Sequence, residues 1–319
     1  MNNPRRRHAT VWSWLPTLYF AEALPYVVIN TLTVLIYTKL GVDIATMAFW
    51  TGLLYLPWVI KPFWSPFVDI ISTKRTWVLS MQLGMGLGFA ATAIFLPTTI
   101  FFATTLIIFF ITAFLSATHD IAADGYYMLQ LTPHQQAEYV GWRSTFYRFG
   151  SLFGSGALVW IAGMIEESYA INDKISHYDT LNAWTIVLWV VALIMLMTVL
   201  YHFLFMPKPA SDIPRQERDV ARLWANFSKT FDTFFNKPDI FRALAFMLLY
   251  RLPEAICLKV TAPFLIASRA DGGLALSTKS VGIVNGVTGV VALLLGGILG
   301  GMAISRGGLR KWFGQWRLA

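Results

Sequence analysis

Long apolar segments separated by short polar connections dominate the chain. A bilayer core takes about 20 mostly apolar residues per helix, and eight segments reach this length. They cover residues 11–38, 44–69, 76–96, 99–129, 141–165, 183–206, 240–266 and 280–304. Because only helices and closed barrels pair all their backbone groups in lipid, the segments predict an all-α polytopic membrane protein.

The long polar connection at 207–239 contains apolar residues that recur at helical spacing. They are Val220, Leu223, Trp224, Phe227, Phe231, Phe234 and Phe235. This pattern indicates an amphipathic helix on the cytoplasmic membrane face. We therefore expect three parts: an N-terminal six-helix transmembrane bundle at 1–206, a cytoplasmic linker at 207–239, and a partial C-terminal bundle at 240–319.

The segment after the linker resembles the beginning of the chain. Glu22-Ala23 returns as Glu254-Ala255 at an offset of 232, and Thr46 returns as Thr278 at the same offset. Parallel repeats leave weak internal similarity of this kind. The repeat predicts a duplicated fold whose second half holds only its first two helices, so we expect a chain truncated after the eighth helix.

Composition agrees with a membrane class. Hydrophobic residues make up 56% of the chain and charged residues 13%, whereas soluble domains carry about 25% charged residues. The mean hydropathy is +0.56. These values exclude a soluble enzyme, a disordered chain and a disulfide scaffold, and the single Cys257 allows no internal disulfide.

The basic residues indicate topology. With a cytoplasmic N-terminus, 16 of the 25 Lys and Arg lie in cytoplasmic connections and four in outer ones, as the positive-inside rule requires. The net charge of +8 is dispersed between the apolar segments, so it does not indicate nucleic-acid binding.

A few charged residues lie inside the apolar segments, where they need a cavity or a partner. Glu22 lies near the middle of the first segment, between Pro16 and Pro25. A buried carboxyl there suits a proton-coupled site. The alternative is a neutral Glu22 that hydrogen-bonds to a neighbouring helix.

The fourth segment carries a polar stripe with two acids. Its members are Thr112, Ser116, Asp120 and Asp124, with His119 beside them. Two acids one turn apart do not both ionise cheaply unless cations neutralise them. The available cations are Lys61, Arg143 and Arg148. The stripe indicates either substrate or proton binding or a gating network of salt bridges.

The seventh segment holds Arg251 and Glu254 at i, i+3. At this spacing the two side chains are neighbours on the helix surface. They either neutralise each other or take part in substrate and proton binding.

Several motifs resemble one known family. The run 41–57, followed by Lys61, Trp64, Pro66 and Asp69, is similar to the second span and following loop of AmpG-like muropeptide permeases and acetyl-CoA-transporter-type members of the major facilitator superfamily. The run 119–126 resembles the fourth-span signature of that group, and Tyr147-Arg148-Phe149-Gly150 resembles its fifth span. Tyr127 stands where that group often has a basic residue.

The resemblance implies two six-helix bundles around a central cavity, with alternating access and proton symport. We therefore expect a secondary active transporter that takes up a small solute such as a muropeptide, sugar or peptide. The proton-coupling candidates are Glu22, Asp120, Asp124 and Glu254. The substrate-binding or gating candidates are Lys61, Arg148, Tyr147, His119 and Arg251. The loop motif consists of Asp69, Lys74 and Arg75.

We expect a monomer in the cytoplasmic (inner) membrane, in contact with the lipid bilayer, and no cofactor, metal, catalytic residue or nucleic-acid partner. One alternative is a polytopic membrane enzyme acting on lipid-linked substrates, whose paired acids would hold a divalent metal or act as acid and base. A requirement for a metal would favour it. The other alternative is a non-transporting membrane sensor, which solute flux in proteoliposomes would exclude.

Overall fold

The computed structural model describes residues 11–170, 174–213, 220–289, 291–292 and 295–296. These residues are helical apart from the connections. In chain order the helices are α1 (Leu15–Lys39), α2 (Ile44–Phe63), α3 (Ser65–Ile71), α4 (Lys74–Phe95), α5 (Phe101–Gln130), α6 (Pro133–Tyr169), α7 (His177–Phe205), α8 (Val220–Phe235), α9 (Ile240–Ile266) and α10 (Thr278–Ile283). The all-α prediction is confirmed.

Within the described residues, six helices are long and apolar enough to cross a membrane: α1, α2, α4, α5, α6 and α7. They coincide with the first six predicted segments. The 27-residue helix α9 coincides with the seventh segment, but it carries four charged residues and is not one of the six. The helix α10 begins the eighth segment and continues as a π-helical turn, Val284–Thr288. Much of the remainder of that segment lies outside the described residues.

Polar capping residues start two helices earlier than the apolar pattern predicts. Thr132 and Gln135 form a capping box before α6, and Ser176 and Asp179 form one before α7. Each box pairs backbone N–H groups that a helix end leaves without partners. Hence α6 begins at Pro133 rather than near 141, and α7 begins at His177 rather than near 183.

The second predicted segment, 44–69, is not one continuous helix. Asp43 caps its start by accepting a hydrogen bond from Thr46 N at 2.9 Å, which lowers the pKa of the Asp43 carboxyl. The helix α2 then turns near Leu54 and ends in a 3-10 turn before α3 begins. Three prolines, Pro57, Pro62 and Pro66, lie along this stretch, and none of them has an N–H to continue the helical hydrogen bonds.

Each helix of the first part packs against several others. The helix α4 lies against α5 and α7, and α1 lies against α5 and α6. The helix α6 also contacts α7 and α10, while α9 contacts α1 and α2. Helices far apart in sequence are thereby brought together around α1 and α5.

Two clusters of buried apolar side chains form the core, and a polar layer lies near their boundary. One cluster includes Tyr37, Phe89, Phe109 and Trp184. The other includes Trp14, Val78, Tyr126 and Met206. Four buried polar residues lie near the boundary between the two clusters, on α1, α4, α5 and α7: Glu22, Gln82, His119 and His202. Buried polar groups need partners on neighbouring helices, so this layer is the candidate site.

Candidate functional site

Two ion pairs join α5 to its neighbours in the polar layer. Lys61 Nζ of α2 lies 3.7 Å from Asp120 Oδ2. Arg143 of α6 pairs with Asp124. Asp120 and Asp124 are one helical turn apart and point to the same face. Because each acid has its own cation, both can stay ionised side by side.

Aromatic rings hold Arg143 in place. The guanidinium carbon lies 4.6 Å from the ring centroid of Tyr19 and 5.5 Å from that of Tyr127. A cation within about 6 Å of a ring face is attracted to it. Tyr127 occupies a position where the resemblance suggested a basic residue, and Arg143 brings a positive charge to that position from another helix.

Glu22 completes the cluster as a third carboxyl. Its side chain is buried, and its Oε2 has no hydrogen-bond partner among the described residues. Asp120, Asp124, Arg143 and Lys61 are close enough to interact with it electrostatically. We call Glu22, Lys61, Asp120, Asp124 and Arg143 the ion-pair cluster.

The local sequence of α1 explains how Glu22 reaches this position. Pro25 lies inside the helix and is followed by a π-helical turn, Val28–Leu32. Since proline has no N–H, the carbonyl four residues earlier, at Ala21, loses its helical partner. The irregular helix therefore has a polar backbone group and a carboxyl at neighbouring positions.

An aromatic wall adjoins the ion-pair cluster. Tyr26 and Trp58 have ring centroids 5.2 Å apart, and Tyr55 stacks on Trp58 at 6.4 Å. Tyr147 interacts electrostatically with Asp120, Glu22, Tyr26 and Tyr55. Rings with hydroxyl or indole N–H groups offer apolar surface together with hydrogen-bond donors.

His119 makes its contacts outside the ion-pair cluster. Its Nε2 lies 3.0 Å from Gln82 Nε2, and Gln82 Oε1 lies 3.0 Å from His202 Nδ1. All three side chains are buried. His119 therefore belongs to a second polar group, between α4, α5 and α7.

The loop motif spans the turn between α3 and α4, with Asp69 on α3 and Lys74 and Arg75 at the start of α4. Lys74 pairs with Asp69. The carboxylate of Asp212 accepts hydrogen bonds from Lys74 N at 2.6 Å and Arg75 N at 2.9 Å. The Arg75 side chain donates to Phe203 O at 2.7 Å and Met206 O at 3.0 Å. The motif thus ties α4 to the end of α7 and to the segment after it.

The family model of the Major Facilitator Superfamily matches residues 17–318. The chain belongs to this superfamily. It is a multi-pass membrane protein, as the apolar segments predicted.

Two curated relatives and one solved structure are similar to this superfamily member. The anhydromuropeptide permease of Escherichia coli (strain K12) is 24% identical over 295 residues, which cover 91% of this chain and 54% of the permease. The putative transporter AmpG 4 of Rickettsia conorii is 22% identical, over 91% of this chain and 67% of that protein. This chain therefore spans about half the length of the permease.

The solved structure is a mutant of the peptide transporter POT in complex with alafosfalin. Its TM-score is 0.53 at 14% identity, and the alignment covers 97% of this chain and 73% of that chain. At this identity the likeness shows the fold.

The structure brings together only some of the predicted site residues of this superfamily member. Glu22, Asp120, Asp124 and Lys61 lie in one cluster, and Tyr147 adjoins it. Arg148, on α6, is exposed. The side chains of Arg251 and Glu254 lie outside the described part of the structure.

Sequence reasoning left four contributors out of its site candidates. The sequence predicts Arg143 only as an available cation, whereas in the structure it pairs with Asp124. Gln82, His202 and Asp212 are not among the candidates that the sequence predicts. A Gln and a His inside otherwise apolar segments are the signal that could have found the first two. Asp212 gives no such signal, because its partners are backbone N–H groups of a distant helix.

In the part of the chain that the structure describes, no three His, Cys, Asp or Glu side chains are grouped to hold a metal ion.

Proposed function

We propose that the protein is a secondary active transporter that couples proton movement to the uptake of a small solute by alternating access. Support comes from its membership of the Major Facilitator Superfamily and from relatives named as permeases or transporters. The names of these relatives suggest a muropeptide as the first solute to test, with sugars and peptides next. These names also agree with transport rather than enzymatic catalysis.

The observation that carries the proton coupling is the charge balance of the ion-pair cluster. Its three carboxyls, Glu22, Asp120 and Asp124, face two cations, Lys61 and Arg143. Three negative charges against two positive charges leave one negative charge when every carboxyl is ionised. An unbalanced charge is costly next to a buried carboxyl such as Glu22. One bound proton makes the cluster neutral.

Protonation would change which groups are paired. A proton on Asp120 would release Lys61, and Lys61 could then reach Glu22 or an anionic group of the solute. A ligand shifts a conformational equilibrium only through different affinities for the two states. The proton and the solute would therefore act on one switch, with Tyr147 and the aromatic wall beside the solute.

Of the remaining site candidates, we retain Glu254 as a proton site and Arg148, His119 and Arg251 as substrate-binding or gating residues. We also retain the division into a bundle at 1–206, a linker at 207–239 and a second, partial bundle at 240–319. The excess of Lys and Arg on one side supports a cytoplasmic N-terminus in the cytoplasmic membrane. We propose a monomer.

The test is uptake of a labelled anhydromuropeptide, a disaccharide and a dipeptide into proteoliposomes with an imposed proton gradient. The Asp120→Asn and Glu22→Gln variants should insert normally but lower gradient-driven uptake to about 1% of wild type or less, since proton-transfer groups contribute about 10²–10⁴-fold. Asp232→Asn, at an exposed carboxylate on α8, is the control.

Two results would count against the proposal in different ways. Absence of uptake of every probe by the wild-type protein contradicts transport of this solute class. Normal uptake by both variants, with an undiminished dependence on the gradient, contradicts the role of the ion-pair cluster in coupling.

A further inference from the structure

A cavity of about 590 Å³ opens beside the ion-pair cluster, at the end where α3, the start of α4 and the last turns of α5 meet. Lys61 and Asp124 of the cluster form part of its lining. Asp69, Lys74 and Asp212 also line it. The cavity therefore joins the cluster to the loop motif.

The wall of the cavity is partly apolar, with Ile121, Met128, Leu129 and Ile213, and partly polar. Ser65, Ser72 and Ser211 add hydroxyl groups to the lining. A polar cavity needs only about 10–15 Å³ of such volume to hold one water, so several waters fit between the cluster and the loop motif. The side chains at the two ends of the cavity are partly exposed: the exposed fraction is 40% for Asp124 and 37% for Asp69.

The charges that line the cavity already have partners. Lys74 pairs with Asp69, Arg143 with Asp124, and Lys61 with Asp120. The Asp212 carboxylate accepts from the backbone N–H groups at the start of α4. With every lining charge matched, the cavity is better suited to carry a proton through water than to bind a separate ion.

Lys74 lies directly over the residue that follows Asp124. A Cβ added at Gly125 would lie 2.7 Å from Lys74 Cε and 3.0 Å from Lys74 Cδ. The absence of a side chain at Gly125 thus lets the Asp69–Lys74 pair approach the cluster.

We propose that this cavity is the route by which the coupling proton leaves the ion-pair cluster, and that Asp69 is the carboxylate that receives it at the cavity mouth. The inference rests on the proposed function and adds a proton-binding residue to it. The charged groups that line the cavity with Asp69 are its partner Lys74 of α4, Lys61 of α2, Asp124 of α5 and Asp212 of the segment after α7.

The transfer balances without any other reactant. The O–H bond at Asp120 breaks, the proton binds the Asp124 carboxylate one helical turn away, and Lys61 pairs with Asp120 again. The attraction between Asp124 and Arg143 weakens while Asp124 is neutral. The O–H bond at Asp124 then breaks as a cavity water takes the proton. The Asp69 carboxylate then accepts the proton from that water, and its attraction to Lys74 weakens while it is neutral. Release of the proton to bulk water restores the Asp69–Lys74 ion pair.

The first test separates proton release from solute movement. With an anhydromuropeptide as the probe, Asp69→Asn should lower gradient-driven uptake about tenfold or more, because it removes a proton-transfer group. Solute counterflow at equal pH on both sides should stay within about twofold of wild type, because exchange needs no net proton release. Asp69→Glu should restore gradient-driven uptake.

Lys74→Met is the matched variant, since it breaks the same ion pair but keeps the carboxylate and the stem that covers Gly125. It should lower gradient-driven uptake by about threefold, less than Asp69→Asn does, because the carboxylate that carries the proton remains while its ion-pair partner is lost. Equal losses in Asp69→Asn and Lys74→Met, or normal uptake by Asp69→Asn, would overturn the inference. Failure of the wild-type protein to use the gradient would instead contradict the proposed function.

A second test needs no solute. In a Cys257→Ser background, Ser65→Cys and Ser72→Cys should react with a charged, membrane-impermeant thiol reagent applied from the cytoplasmic side. Leu87→Cys, at an exposed apolar position of α4, should not react in the membrane. If Ser65→Cys and Ser72→Cys both fail to react from that side, the cavity is not a water-filled route.

Discussion

At the scale of single residues, the polar layer contains a chain of hydrogen bonds that the ion-pair cluster does not use. Thr17 Oγ1 lies 2.8 Å from His202 Nε2, and Gln82 connects His202 to His119. The amide of Gln82 donates through its nitrogen to His119 and accepts through its oxygen from His202. A single side chain therefore hydrogen-bonds to two buried imidazoles on two other helices.

Replacing Gln82 should destabilise the bundle. In Gln82→Leu both imidazoles lose a partner, and each buried unsatisfied group costs about 1–3 kcal/mol. We expect a drop in the free energy of unfolding of about 2 kcal/mol or more, measured as a lower thermal transition in detergent. Ser80→Ala, on an exposed part of α4, should change it little. An unchanged transition for Gln82→Leu would show that the hydrogen-bonded chain contributes nothing to stability.

Pairings at this scale depend on tertiary structure and could not be derived from the sequence. The sequence showed that Asp120 and Asp124 share one face of a helix and need cations. It did not show which cation serves which acid, because Lys61 and Arg143 come from different helices. For the same reason it grouped His119 with the acids, although the ring of His119 contacts Gln82.

At the scale of helices, α4 and α7 cap each other. Asp212, after the end of α7, accepts from the first N–H groups of α4. Arg75, at the start of α4, donates to the last carbonyls of α7. Helix ends leave four N–H or four C=O groups without helical partners. These hydrogen bonds give partners to the start of α4 and to the end of α7. They also fix the segment after α7 to the bundle.

Loss of the Asp212 cap should loosen the first turn of α4. A cap contributes about 0.5–2 kcal/mol, so Asp212→Ala should speed hydrogen exchange of the Lys74 and Arg75 amides about tenfold. Ser211→Ala is the neighbouring control. Hydrogen-exchange mass spectrometry measures both variants. Equal hydrogen-exchange rates in Asp212→Ala and Ser211→Ala would show that water replaces the Asp212 cap without loss of stability in the first turn of α4.

Helix positions were predictable to the extent that apolar composition defines them. The predicted segments 11–38, 76–96 and 99–129 end within a few residues of α1, α4 and α5. The starts of α6 and α7 were predicted too late, because the first turns of these helices are polar and are held by capping boxes. The interruption of α2 was missed because its residues remain apolar while its prolines break the helical hydrogen bonds.

At the scale of the whole molecule, α6 packs along α10 as well as against α1 and α7. Glycines permit this contact: a Cβ at Gly156 would lie 3.1 Å from Gly286 N. Near the end of α6, the buried carboxylate of Glu166 accepts a hydrogen bond from Thr278 at 2.5 Å and lies 3.4 Å from Lys39 Nζ. Glu166 thus joins α1, α6 and α10. In the proposed alternating access, this junction would separate.

The buried carboxylate should determine whether this junction stays closed. Breaking a buried ion pair costs about 3–5 kcal/mol, and about 1.4 kcal/mol already changes a population tenfold. In a Cys257→Ser background, Glu166→Ala should therefore broaden the distribution of distances between spin labels at Ser168→Cys and Ala270→Cys and shift it to longer distances, measured by pulsed electron resonance. Glu167→Ala is the matched control, because Glu167 also lies on α6 and pairs with Lys279 of α10 at 2.9 Å. The Glu167–Lys279 pair is exposed, and exposed pairs contribute about 0–1 kcal/mol. The distance distribution of the Glu167→Ala variant should therefore stay as in wild type. If the two variants behave alike, burial of Glu166 is not what holds the junction together, and the glycine contacts alone must do so.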